Sequence, residues 1–199
     1  MTTLANLLPT LISDRTQADV DRVKELNIKL LQGAETEAEY LEWVAGLKGA
    51  YNASDLNRVS ETTERLGEHM RTRENALINY RNTYQIGSSA YNDLPYAPAD
   101  VVTHSKYDWT MEDIPSYEQG QNYVGDIRCL RDCISPLLSA SAPEVPDINF
   151  LTYEGANDLE ELLQTIYGAV ETAFAEKADI LVRSRKSLDY TGMLTCGGI

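Results

Sequence analysis

Apolar residues recur at alternating spacings of three and four along two stretches of the chain. Leu56, Val59, Thr63, Leu66, Met70, Arg73, Leu77 and Tyr80 make the first series. Leu159, Leu163, Ile166, Val170, Ala173, Lys177 and Ile180 make the second. That rhythm keeps side chains on one stripe of a helix, the seam along which a partner helix packs. Leu56, Val59, Leu66, Met70 and Leu77 are therefore expected to form one assembly seam, and Leu159, Leu163, Ile166 and Val170 another, packed either across a symmetric partner or within one intrachain bundle. Asn57 precedes Val59 as Asn157 precedes Leu159. The two asparagines are expected to mark helix-entry turns, their amides holding backbone groups at the helix start. Ser54 or Asp55 is expected to cap the first seam helix, and Thr152 or Asn157 to begin the second.

Shorter periodic segments fill the rest. Thr16 and Asp19 have capping-box spacing before the apolar face Val20, Val23, Leu26, Leu30 and Leu31, which Gly33 closes. Thr36 and Glu39 open a helix bearing Tyr40, Trp43, Val44 and Leu47 and stopping at Gly49. Thr110 and Asp113 can cap a single turn. Ser116 with Gln119 starts a helix through Val124, Ile127, Leu130 and Ile134, which Pro136 ends. Between Thr83 and Pro115 the helical period disappears into tyrosines, prolines and turn formers, and from Asp189 onward the chain reads as a glycine-rich, non-periodic tail. The fold class expected is mainly α: an N-terminal helical unit at 1–82, a Tyr/Pro-rich irregular connector at 83–115 and a C-terminal helical unit at 116–199.

Charge narrows the partners. Thirty-one acidic and 17 basic side chains give the 199 residues a formal net charge of −14. Such a field repels nucleic acid and anionic membrane surfaces. No apolar run approaches the ~18 residues that span a bilayer, and the first residues lack the basic and apolar regions of a signal peptide. Three cysteines are too few for a disulfide framework, which points to synthesis in a reducing cytoplasm.

No constellation makes a persuasive active site. Cys129 and Cys133 lie four apart, but a metal would need two further ligands and Cys196 alone is insufficient; they read as core thiols. His69 and His104 are isolated. The acid pairs Glu160-Glu161 and Asp19/Asp21 read as solvated helix faces. No catalytic residue, cofactor site or metal site is assigned. Tyr91, Tyr96, Tyr107 and Trp109 form the one patch with a binding reading, since aromatic rings offer flat apolar faces with polar rims to sugars.

Several runs together carry a family resemblance. They are Asp14-Arg15-Thr16-Gln17-Ala18-Asp19-Val20-Asp21-Arg22, Leu47-Lys48-Gly49-Ala50-Tyr51-Asn52, Asp55-Leu56-Asn57-Arg58-Val59, Lys106-Tyr107-Asp108-Trp109-Thr110 with Asp113-Ile114-Pro115, and Leu151 to Glu160. In combination, over about three-fifths of the chain, they resemble elements of tail and baseplate structural proteins of phages and prophages from Gram-positive gut bacteria. The end of the chain, Tyr190-Thr191-Gly192 with Cys196-Gly197-Gly198, departs from the Tyr-Ser-Gly-Glu type ending of that group by lacking its glutamates. The resemblance implies a virion tail component without catalysis: a structural or adaptor subunit of a tail, baseplate or tail-like particle. The expected partners are other tail proteins and further copies in a symmetric trimer or hexamer. The alternative is a receptor- or carbohydrate-contacting tail protein using the connector aromatics.

Overall fold

Helix starts in this chain are written in oxygen-bearing side chains. In a computed structural model the described residues are 3–84, 86, 106–110, 112–113 and 116–195, with side chains described to residue 186. The connector residues Tyr91 and Tyr96, together with His104, lie outside the described residues. Among those described the chain is mainly helical, with six α-helices and no strand. A short α1 (Leu4–Leu7) runs into a 3₁₀ turn and is followed by α2 (Gln17–Gln32), α3 (Glu37–Ala45), α4 (Ala53–Thr83), α5 (Tyr117–Cys133) and α6 (Tyr153–Thr195).

Reciprocal capping boxes open α2 (Thr16/Asp19), α3 (Thr36/Glu39), α4 (Asn52/Asp55) and α5 (Ser116/Gln119). Each box satisfies two backbone N–H groups that a helix start leaves free. Thr152 caps α6 with a single bond, its Oγ1 accepting from the Gly155 N–H at 3.2 Å. The cap of α4 is thus Asn52, with Asp55 as the returning partner. Ser54 donates to the Asn52 side chain instead of capping. Gly33, at φ 62°, closes α2 in the left-handed region. The helix expected to stop at Gly49 ends earlier, at Gly46 (φ 91°). The tail expected from Asp189 also differs, because α6 continues to Thr195. A single Gly192 costs a helix interior about 1 kcal/mol and no proline interrupts the run, so helix propagation wins.

The long helices α4 and α6 run in the same direction. Arg58 meets Glu160 near their starts, His69 meets Glu171 further along, and Leu77 shares a cluster with Leu181 near the far end. Val59, Leu66 and Met70 of α4 are fully buried against Leu159, Leu163, Ile166 and Val170 of α6 and Tyr123, Val124, Ile127 and Leu130 of α5. Leu56 is partly buried at the edge of that core. Burying each such side chain is worth about 1.5–3 kcal/mol. The main cluster joins residues from Leu11 to Val170, so the N- and C-terminal helical stretches share one core. Thr62 and Thr63 enter it by returning their hydroxyls to the carbonyls of Arg58 and Val59, at 2.7 and 2.8 Å. Leu77 and Leu181 form a smaller cluster with Ile86, extending the α4–α6 pair beyond the main core.

Candidate functional site

At the head of the bundle four charged side chains meet out of water. Arg15, Asp55 and Glu160 are almost wholly buried and Arg58 covers them. The Arg15 Nη2 donates to Asp55 Oδ1 at 3.0 Å and to Glu160 Oε1 at 2.7 Å. Arg58 donates to Glu160 through Nε (3.1 Å) and Nη2 (2.9 Å), and to Asp55. The remaining bonding capacity goes to backbone: Arg15 donates to the carbonyls of Ile12 and Lys48, while Glu160 accepts from the Ile12 N–H and Asp55 from the Asn52 N–H. Two cations face two anions, so the quartet is neutral and densely hydrogen-bonded. That arrangement offsets the desolvation cost of buried charge. Burial alone would lower the Arg58 pKa, but its bonds to Glu160 and Asp55 outweigh burial and raise it. The same burial pushes the phenols of Tyr51 and Tyr123 up; they are hydrogen-bonded to each other, and the Arg15 guanidinium lies 5.3 Å from the Tyr51 ring centre. No group here is left as a free nucleophile or base.

Asn57 and Asn157 stand beside this quartet and are not helix caps. Both occupy the fifth residue of their helices, counted from Ala53 and Tyr153. Each amide grips the backbone of a remote residue from both sides. Asn157 accepts from the Arg15 N–H at 3.0 Å and donates to the Arg15 carbonyl at 2.9 Å. Asn57 accepts from the Trp109 N–H at 2.7 Å and donates to the Trp109 carbonyl at 2.9 Å. The gripped residues sit in matching turns, Asp14-Arg15-Thr16 closed by Asp19 and Asp108-Trp109-Thr110 closed by Asp113. Lys48 pairs with Asp14 and Lys106 with Asp108, both at 2.8 Å. The device is therefore present twice, each long helix holding the turn that lies in the other half of the chain. At the second copy Trp109 replaces the arginine and Ser60 stands where α6 has Glu160; no charge quartet forms there.

The hairpin of α2 and α3 leaves much of its apolar surface uncovered. Half-exposed ion pairs join its helices: Arg22 donates to Glu42 at 3.1 and 2.6 Å and to Glu25 at 2.9 Å, and Lys29 pairs with Glu25 and Glu39. Leu31 is 81% and Val44 64% exposed, joined by Ile28, Tyr40 and Leu41. Of the face expected to be covered on α2, Leu26 is buried, Val20, Val23 and Leu30 are partly covered, and Leu31 is exposed. The periodic residues of α3 divide, Tyr40 and Val44 facing water while Trp43 and Leu47 are partly covered. Gly49 fixes the hairpin to the head. Its Cα approaches the Asp19 backbone so closely that a Cβ would lie 2.2 Å from the Asp19 carbonyl.

Other assigned residues fall elsewhere. Trp109 is 7% exposed and its backbone is held by Asn57, so it presents no open ring; Tyr107 is half exposed. Cys129 and Cys133 share no disulfide and are only partly buried. Among the described residues no group of His, Cys, Asp and Glu is arranged to hold a metal. Glu160, expected on a solvated face, is buried. His69 is not isolated: its Nε2 lies 2.7 Å from Glu171, which Arg73 also grips at 2.9 and 2.7 Å. Burial would raise the Glu171 pKa, but those two partners outweigh it and lower it. Among the described residues no helix is long and apolar enough to cross a membrane. No protein-family model, curated protein or solved structure matches the chain.

Proposed function

We propose that the chain is a non-enzymatic structural or adaptor subunit of a phage tail, baseplate or tail-like particle, acting in the virion tail after synthesis in the host cytoplasm. The observation that carries this reading is the uncovered apolar surface of the α2–α3 hairpin. Five large apolar side chains there, Ile28, Leu31, Tyr40, Leu41 and Val44, are more than half exposed. Apolar surface of that extent marks a site of association rather than a finished monomer surface. The neutral, densely bonded quartet agrees with it, since a rigid head serves assembly and supplies no reactive group. The partners in this reading are other tail proteins and further copies of this chain, joined in a closed symmetric trimer or hexamer. Immunogold electron microscopy of particles shed by producing cells tests the assignment. Label on tail structures is the expected result; label found only in the soluble cell fraction contradicts it.

A further inference from the structure

We propose that the groove between α5 and residues 145–149 is a docking site for a carboxylate-bearing peptide segment. The groove has a volume of about 390 Å³, within the roughly 300–1,000 Å³ typical of ligand sites. One wall is the α5 stripe Tyr117, Gln121, Val124 and Arg128; the other is the run from Val145 to Asn149. Both walls are preformed. Gly120 lies close enough to Ile148 that a Cβ there would contact it at 3.4 Å, and Gly155 seats Pro146 in the same manner at 3.2 Å. Arg131 holds the approach to this run, donating to the Pro143 carbonyl and to Glu144. A rigid cleft spends less conformational entropy on binding than one that must form around its ligand.

Arg128 gives the groove its chemistry. Its side chain is exposed, and it is the one arginine among the described residues with no acceptor in reach; each of the others has a partner. In a chain of net charge −14, an unpaired guanidinium in a concave site is the anomaly. Asp147 is the carboxylate in the lining, yet no ion pair joins it to Arg128. Its Oδ1 already accepts from the Asn149 N–H at 2.9 Å and from Asn149 Nδ2 at 2.7 Å. The guanidinium fork matches a carboxylate with two parallel bonds. Gln121 adds an amide to the same lining, and Tyr117, 71% exposed, supplies an aromatic face. Arginine and tyrosine are the residues most enriched where proteins meet proteins. A neutral sugar would use the ring but leave the cation unanswered.

The long-range field of the chain repels polyanions and is screened beyond about 8 Å at physiological salt, so binding of an acidic peptide reports the local cation. The site lies on different elements from the hairpin, and its test does not require assembly. The test is side-chain ¹H–¹⁵N NMR of the full chain, observing the Arg128 Nε–H and Gln121 amide. Three blocked peptides are titrated: N-acetyl-hexaglutamate amide, N-acetyl-tetraalanine with a free C-terminus, and N-acetyl-hexaglutamine amide. The expected result is a saturable shift with the first or second, which identifies a side-chain or a C-terminal carboxylate as the group read, and none with hexaglutamine. Arg128→Gln should weaken that binding at least tenfold, and Arg128→Lys should weaken it less. Absence of binding by both carboxylate peptides, equal binding of hexaglutamine, or binding that survives Arg128→Gln would overturn the proposal.

Discussion

Asn157 and Arg15 lie 142 residues apart, yet the Asn157 amide exchanges two hydrogen bonds with the Arg15 backbone, at 3.0 and 2.9 Å. A side-chain amide has the donor and acceptor of a peptide group, so it extends the backbone pairing of an extended segment onto the side of a helix. Removing it strands a buried donor and acceptor, at about 1–3 kcal/mol for a group left unsatisfied. Asn157→Ala should destabilise by that order in urea titration. Asn157→Asp keeps the acceptor for the Arg15 N–H and loses the donor to its carbonyl, so it should also weaken the fold. A variant as stable as the wild type would show that the clamp holds nothing.

The quartet makes a larger claim. Glu160→Ala leaves the two cations Arg15 and Arg58 with Asp55 as their single remaining anion, and breaking a buried charge network this way costs about 3–5 kcal/mol. The neighbouring Glu161 is exposed, and Glu161→Ala should stay within about 0.5 kcal/mol. Chemical unfolding of the two variants side by side checks the contrast. Equal losses would mean that Glu160 is not buried as described.

Gly49 and Gly168 separate close packing from helix propensity. A Cβ at Gly49 meets the Asp19 backbone, whereas one at Gly168 meets nothing within 4 Å. Gly49→Ala should cost about 1–3 kcal/mol by forcing the hairpin away from the head. Gly168→Ala, in the interior of α6, should stabilise by up to about 1 kcal/mol. Thermal melts read both signs.

Acid should loosen the hairpin through Glu39. The Lys29 hydrogen bond, then the backbone and hydroxyl bonds of Thr36, hold its carboxyl at about 2, against an ordinary 4.5. A depressed folded-state pKa stabilises the fold above the ordinary value. That contribution declines as pH falls from about 4.5 and is gone below about 2. Carbon-detected NMR should place the Glu39 titration near the lower value, and Glu39→Gln should remove that part of the hairpin's acid sensitivity. A midpoint at the ordinary value would show the capping box and the Lys29 bond to be absent.

The helices were legible because caps and periodicity are local signals. Thr16 with Asp19, Thr36 with Glu39 and Ser116 with Gln119 announce their helices within four residues of sequence. The head was not, because Arg15 meets Glu160 across 145 residues and nothing near either one marks the other. One signal was available: Asp-Arg-Thr-x-x-Asp at 14–19 recurs as Asp-Trp-Thr-x-x-Asp at 108–113. Joined to the matching positions of Asn57 and Asn157, that recurrence pairs each turn with a helix. The hairpin was legible only in part. Of Val20, Val23, Leu26, Leu30 and Leu31, which have the spacing of a covered face, the first four are buried or partly covered and Leu31 is exposed, because periodicity identifies a stripe and not what covers it.

That uncovered surface carries the assembly account, and multi-angle light scattering on the purified chain over a wide concentration range tests it most directly. The account predicts a mass above the monomer that rises to a closed oligomer. It also predicts that Leu31→Glu with Val44→Glu will return the chain to a monomer with an unchanged melting temperature, because both residues are exposed within the single chain. A wild-type chain that stays monomeric throughout, or a doubly substituted chain that associates as the wild type does, would contradict it.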